Sequence, residues 1–315
     1  MKITDIPKIG IGTFGSDRVD AESVSKAVEY SLRHGYRHVD CASVYGNEAQ
    51  IGTVLKKAFD EKVVSREEVW ITSKLWNDMH SGEDVIKSCR QSLKDLQIDY
   101  LDLYLVHWPF PNYHPPKCDV TSRSPNARPF VHEEYMRTWR MMEKLVDMGL
   151  VRHIGTSNMT VSKLSGVLRD ARIKPYVNEM ELHPAFQQKE LLEFVKKNGI
   201  VPVAYCPLGS PGRPERDKTP EDVADMEESI VKKIAEKHGI HPASVCLKWE
   251  SGCGAVPIPF STNPKNIDSN FKSVMEDPLS EEEMAEMEKV DRNCRLIKGQ
   301  VFLWKDAADW HDLWK

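Results

Sequence analysis

Four side chains carry the clearest chemical signal in the sequence: Asp40, Tyr45, Lys74 and His107. Each closes a short apolar run or follows one within a few residues, where a strand gives way to a loop. Together they make a proton-transfer set. A tyrosine at its ordinary pKa of about 10 is a poor acid near neutrality, but a neighbouring ammonium stabilises the phenolate and lowers that value. Lys74 is the candidate ammonium. A buried lysine tends to lose its proton unless paired, and the carboxylate of Asp40 would hold it charged. His107 could then orient a substrate oxygen or share its proton. Taken singly, each residue has a structural explanation, since Asp–Lys pairs are common bridges and His107-Trp108-Pro109 reads equally as a packed strand end. The four in series favour the chemical reading.

The elements that must position these residues alternate along the chain. Eight apolar, β-branched runs read as strands: Ile9 to Thr13, His38 to Asp40, Val69 to Ser73, Leu101 to His107, His153 to Thr156, Tyr176 to Glu179, Ile200 to Ala204 and Ala255 to Ile258. Helical periodicity separates them. Ala21, Val24, Val28 and Leu32 trace one face that stops before Gly35, where glycine can take the left-handed closing conformation. Ser280 with Glu283, and Ser81 with Asp84, have the spacing of helix starts. Strand then helix, eight times, predicts a (β/α)8 TIM barrel whose strands all open on one mouth, so that strand-end residues converge there. The competing open, doubly wound sheet would announce itself with G-x-G-x-x-G at a helix start. Gly10, Gly12 and Gly15 match by letter, but no helix opens at them.

The 315 residues show no flexible linker, low-complexity segment or repeat, which favours one domain over residues 1–315. A net charge of -5 with interspersed signs gives no footprint for nucleic acid. No apolar run approaches bilayer length and no signal core opens the chain, so a cytoplasmic protein with no membrane partner is expected. Seven scattered cysteines form neither a disulfide framework nor a CxxC pair and read as reduced thiols, mostly core fillers.

The segment from Gly35 to Glu48 resembles the first signature of the aldo-keto reductase superfamily, and Thr72 to Trp76 and Val106 to Pro109 resemble its lysine and histidine segments. Similar matches run through Ile154 to Asn158, Val177 to Pro184, Ala204 to Pro211 and Ile258 to Ser261. The resemblance implies a catalytic tetrad of Asp40, Tyr45, Lys74 and His107, with NADP or NAD as cofactor, a small carbonyl compound as substrate, no metal, and a monomer or weak homodimer. It implies that Ser157, Asn158 and Glu179 bind the nicotinamide carboxamide and that Tyr205 stacks on its ring. It also implies that Leu208 and Ser210 follow the pyrophosphate, and that Ser261, Thr262, Asn263, Asn266 and Asn270 surround the adenosine end. Phe14, Val44, Trp76 and Trp108 would wall the substrate. Long loops, above all 110–130 with Lys117, Arg123 and Arg128, and a C-terminal tail with Phe302, Trp304, Trp310 and Trp314 would lie over the mouth.

Two departures stand out. The family usually has glutamine where this chain has Glu179, and an ionised glutamate cannot donate a hydrogen bond. NADPH-preferring relatives usually carry lysine and arginine where this chain has Phe260 and Asn266, so NADH is expected to serve at least comparably, with Lys265 as a partial substitute. The implied activity is reduction of aldehydes, small ketones or aldoses. Its rival within the fold is a non-catalytic nicotinamide-binding protein that serves a partner. A metal-dependent barrel hydrolase fits less well because His107, His153 and His183 lack close spacing. Reduction of a carbon-carbon double bond fits less well because the family's version of it changes the tetrad histidine, which is retained.

Overall fold

The computed structural model describes residues 5–15, 18–114, 118–119, 121 and 124–315. Eight strands pair in parallel in chain order: β1 (Ile11–Gly12), β2 (His38–Asp40), β3 (Trp70–Leu75), β4 (Leu101–Val106), β5 (Val151–Ser157), β6 (Val177–Glu181), β7 (Val201–Tyr205) and β8 (Val256–Pro257). The sheet closes into a barrel, because the Gly10 amide donates to the Pro257 carbonyl and the Gly12 amide to that of Pro259, each at 3.0 Å.

Parallel neighbours require crossovers, and helices supply them. They are α1 (Ala21–Arg33), α2 (Glu48–Asp60), α3 (Glu83–Leu96), α4 (His132–Asp147), α5 (Val161–Asp170) and α6 (Lys189–Lys197). Two more, α7 (Ser229–His238) and α8 (Pro242–Gly252), join β7 to β8, and α9 (Pro264–Met275) and α10 (Glu281–Met287) follow. α9 packs on α1 and completes the outer ring. α1 ends as its sequence predicts, with Gly35 at φ +102°. Ser280 and Glu283 form a reciprocal cap on α10. The start expected at Ser81 is corrected: Gly82, at φ +45°, precedes the helix, and the Ser81 hydroxyl reaches the Asp84 side chain at 3.4 Å. The left-handed turn at Gly82 leaves Ser81 one residue too early to cap.

Residues two apart on a strand share a face, and this periodicity builds the barrel interior in layers. Trp70, Leu103, Leu105, Val177, Val203, Val256 and Ile258 pack together. Burial of an aliphatic side chain of this kind contributes roughly 1.5–3 kcal/mol. One step further along the same faces stand His107, Glu179 and Tyr205, and on β3 Lys74 follows two steps beyond Trp70, so the layer above the apolar plug is polar. A larger apolar layer fills the space between strands and helices. No helix among the described residues is long and apolar enough to cross a membrane.

Candidate active site

The sequence expectation that the four proton-transfer residues meet is realised at the strand ends. Asp40 is the last residue of β2, Lys74 lies within β3, and His107 directly follows β4. Tyr45 ends a single helical turn, Ser43–Tyr45, and its amide donates to the Ala42 carbonyl at 3.0 Å. That turn is pinned to the barrel: the Ser43 hydroxyl donates to the Lys74 carbonyl at 3.1 Å, and Asn47 Nδ2 donates to the Thr13 carbonyl at 2.8 Å. Thr13 in turn donates to the Asp40 carbonyl at 2.7 Å.

Lys74 is wholly buried and its Nζ contacts Asp40 Oδ1. It also donates to the Cys41 carbonyl at 3.1 Å and lies 3.3 Å from Glu179 Oε1. The ammonium is 5.4 Å from the centre of the Tyr45 ring, and the His107 ring meets that ring edge-on at 5.9 Å.

Burial pushes the Lys74 pKa down, but Asp40, Glu179 and Tyr45 outweigh it and hold the ammonium well above its ordinary value. Burial and then the Lys74 charge hold His107 well below its ordinary value, so its imidazole is neutral. Tyr45 corrects the expectation of a depressed phenol. Burial raises its pKa first; Lys74 opposes this, and the carboxyl groups of Asp40 and Glu179 cancel part of what Lys74 supplies. The phenol is therefore a proton store, released only to a stronger base such as a developing alkoxide.

The apolar wall surrounds this set. Phe14 lies 5.1 Å from Tyr45 and is half exposed, Val44 is exposed beside it, and Trp76 meets His107 edge-on at 5.1 Å. Trp108 is buried under the tail, with Phe302 at 4.6 Å and Trp314 at 5.7 Å. The tail thus braces the wall. Asn112 holds this layer together by donating to the carbonyls of Arg128 and Phe302, each at 2.8 Å. Arg128 is engaged with Glu134 at 2.8 Å, whereas Lys117 and Arg123 lie outside the described residues.

Ser157, Asn158, Glu179 and Tyr205 converge beside the tetrad. Asn158, at φ +57°, donates to Ser157 Oγ at 3.1 Å and to the His107 carbonyl at 2.9 Å, and accepts from the Tyr205 hydroxyl at 2.6 Å. Its amide donates to the Glu179 carbonyl at 3.0 Å. Beyond β7 the backbone is left-handed at Cys206, Gly209 and Ser210, with φ +53°, +67° and +42°. A side chain at Gly209 would place its Cβ 2.2 Å from Asp225 Oδ2, so only glycine fits. Leu208 lies in this segment, partly buried against the core. Ser261, Thr262, Asn263 and Asn266 stand together where the chain enters α9, with buried Asn270 one turn on. Asn263 caps that helix by accepting from the Lys265 amide at 3.0 Å, and Phe260 packs inward against the core.

These residues fit a nicotinamide nucleotide. Glu179 Oε2 is buried without a hydrogen-bonding partner among the described residues, next to a serine and an asparagine, which suits a polar ligand group such as a carboxamide. Among the described residues no three His, Cys, Asp or Glu side chains group to hold a metal ion.

A second layer escaped the sequence reading. His183 is sandwiched between Glu181 at 3.1 Å and Asp225 at 3.0 Å, and Glu181 accepts from the Ile297 amide at 3.0 Å as well as from that of Leu296. Arg295 lies 3.4 Å over the Trp314 ring. The only signal was Glu181 and His183 in one matched segment; their partners lie far along the chain.

Comparison with known proteins gives a consistent result. The family model described as "Aldo/keto reductase family" matches residues 8–292. An aldo/keto reductase of Synechocystis sp. is 42% identical over 297 residues, covering 94% of this chain and 89% of that protein. Aldo-keto reductase family 1 member A1 of Gallus gallus is 42% identical over 298 residues, covering 93% of this chain and 88% of its own. Among solved structures, a Bombyx mori aldo-keto reductase in complex with NADP matches with a TM-score of 0.82 at 30% identity, covering 97% of this chain and 95% of that one.

Proposed function

Because the chain belongs to the aldo/keto reductase family, we propose that it reduces aldehydes, small ketones or aldoses to alcohols, with Tyr45 as the proton donor and NADPH or NADH as hydride source. Membership carries NADP-dependent carbonyl reduction in general; the finer reading rests on this chain's own residues. The observation that supports it best is the wholly buried Lys74, kept charged by Asp40 and 5.4 Å from the Tyr45 ring.

When bound, the nicotinamide supplies the hydride, and the protein supplies orientation and electrostatics. Ser157, Asn158 and Glu179 would hold the carboxamide, and Tyr205 would flank the ring. Leu208 and Ser210 would follow the pyrophosphate, with Ser261, Thr262, Asn263, Asn266 and Asn270 at the adenosine end. Phe14, Val44, Trp76 and Trp108 would wall the carbonyl. Tyr45 donates its proton to the carbonyl oxygen as negative charge develops there, and Lys74 stabilises the phenolate left behind. Neutral His107 orients the same oxygen without competing for charge.

The test is consumption of reduced cofactor with a panel of aldehydes and aldoses, with and without a chelator. Turnover that survives chelation is expected. Tight nucleotide binding with no turnover across the panel would favour the non-catalytic binding protein instead.

A further inference from the structure

Two buried carboxyl groups flank one ammonium at the floor of the site. Asp40 reaches Lys74 from β2, and Glu179 reaches it from β6 at 3.3 Å. The two carboxyls are also within hydrogen-bonding reach of each other. Each has one buried oxygen without a donor among the described residues, Asp40 Oδ2 and Glu179 Oε2. If both were ionised, the cluster would carry an excess negative charge and two unsatisfied acceptors. A single proton between them cures both defects.

We propose that Asp40 and Glu179 share one proton, so that Glu179, besides meeting the carboxamide, acts through Lys74 and keeps the cluster electrically neutral until Tyr45 gives up its proton. The inference rests on the reductase reading above. It concerns a position where the family usually carries an amide, which is neutral at every pH.

The groups facing Glu179 define its titration. Asp40 raises its proton affinity and Lys74 lowers it, while Tyr45 and Tyr205, from the turn after β2 and the end of β7, are weakly acidic phenols. At the end of β5 and just beyond it, Ser157 and Asn158 are uncharged. Glu181, next along the same face of β6, is engaged with His183 and Arg295. Burial and Asp40 hold the Glu179 carboxyl at about 8, so the shared proton is lost as pH rises through the weakly alkaline range. Loss of the proton adds a negative charge that opposes phenolate formation at Tyr45.

Infrared difference spectroscopy on the cofactor-free protein tests this without any turnover. A protonated-carboxyl carbonyl band is expected at neutral pH, fading as pH rises through about 8, and absent in Glu179→Gln. In Asp40→Asn the remaining glutamate has lost its negative neighbour, and the band should fade at lower pH. The pH profile of kcat for reduction supplies a second readout. A tenfold fall from about pH 7 to about pH 9 is expected in the wild type and should disappear in Glu179→Gln. Absence of the band at neutral pH overturns the shared proton, and superimposable pH profiles overturn the action through Lys74. An inactive enzyme that still shows the titrating band would overturn the reductase reading alone.

Discussion

Lys74→Met replaces the buried ammonium with a neutral side chain of similar length, and two consequences separate. Removing one partner of a buried ion pair costs about 3–5 kcal/mol of stability. Asp40 and Glu179 can both take up protons, which should keep the loss toward the lower end. The effect on rate follows from geometry. With the ammonium 5.4 Å from the Tyr45 ring centre, Coulomb's law at an effective dielectric constant of about 20 gives about 3 kcal/mol of stabilisation for a phenolate. That corresponds to roughly a hundredfold in rate. The assay is kcat for a simple aromatic aldehyde at saturating reduced nicotinamide, with cofactor Kd measured by tryptophan quenching and the unfolding midpoint in urea. Lys74 makes no proposed contact with the nucleotide, so kcat should fall roughly a hundredfold while Kd moves by less than about threefold. A kcat within about fivefold of wild type, with Kd unchanged, would refute the electrostatic role.

His183 is pushed down by burial, but Asp225 and Glu181 outweigh this and raise its pKa from 6.5 to about 9. A raised folded-state value means that its stabilisation is complete below about 6.5 and lost as pH rises through about 9. The urea midpoint should therefore fall across that window, and His183→Asn should flatten the fall; equal slopes in both proteins would contradict the assignment. At the adenosine end, Phe260→Lys combined with Asn266→Arg adds two charge-assisted contacts worth about 1.5–3 kcal/mol each. The ratio of kcat/KM for NADPH over NADH should rise at least about tenfold, and a wild-type preference of about a hundredfold for NADPH would already contradict the expected acceptance of NADH.

The barrel was legible because its strands are short, β-branched and buried, and because each is followed by a helical period. Boundaries were less so: β3 runs on through Leu75 and β6 through Glu181, since pairing with neighbours extends a strand beyond its apolar run. The tetrad was legible for the same reason as the barrel, because strand ends meet at one mouth. What the residues do to each other was not. The sequence predicts a depressed Tyr45, but only the three-dimensional arrangement reveals that burial and two carboxyl groups offset Lys74. Asn263 read as a ligand contact, and its second role, a side-chain oxygen that caps α9, is fixed by the local turn. The Glu181–His183–Asp225 cluster and Asn112 join segments 42 to 190 residues apart, and no periodicity or spacing encodes such contacts.

The central claim, that Tyr45 delivers the proton from a site otherwise built by Asp40, Lys74 and His107, is tested most directly by Tyr45→Phe in a single-turnover measurement with pre-bound reduced nicotinamide. The substitution removes the phenolic oxygen and leaves the ring, its packing on Phe14 and its edge contact with His107 in place. Cofactor Kd should stay within about threefold of wild type, while oxidation of the bound cofactor by aldehyde slows by at least about a hundredfold. Near-wild-type oxidation in the variant would show that the proton comes from elsewhere.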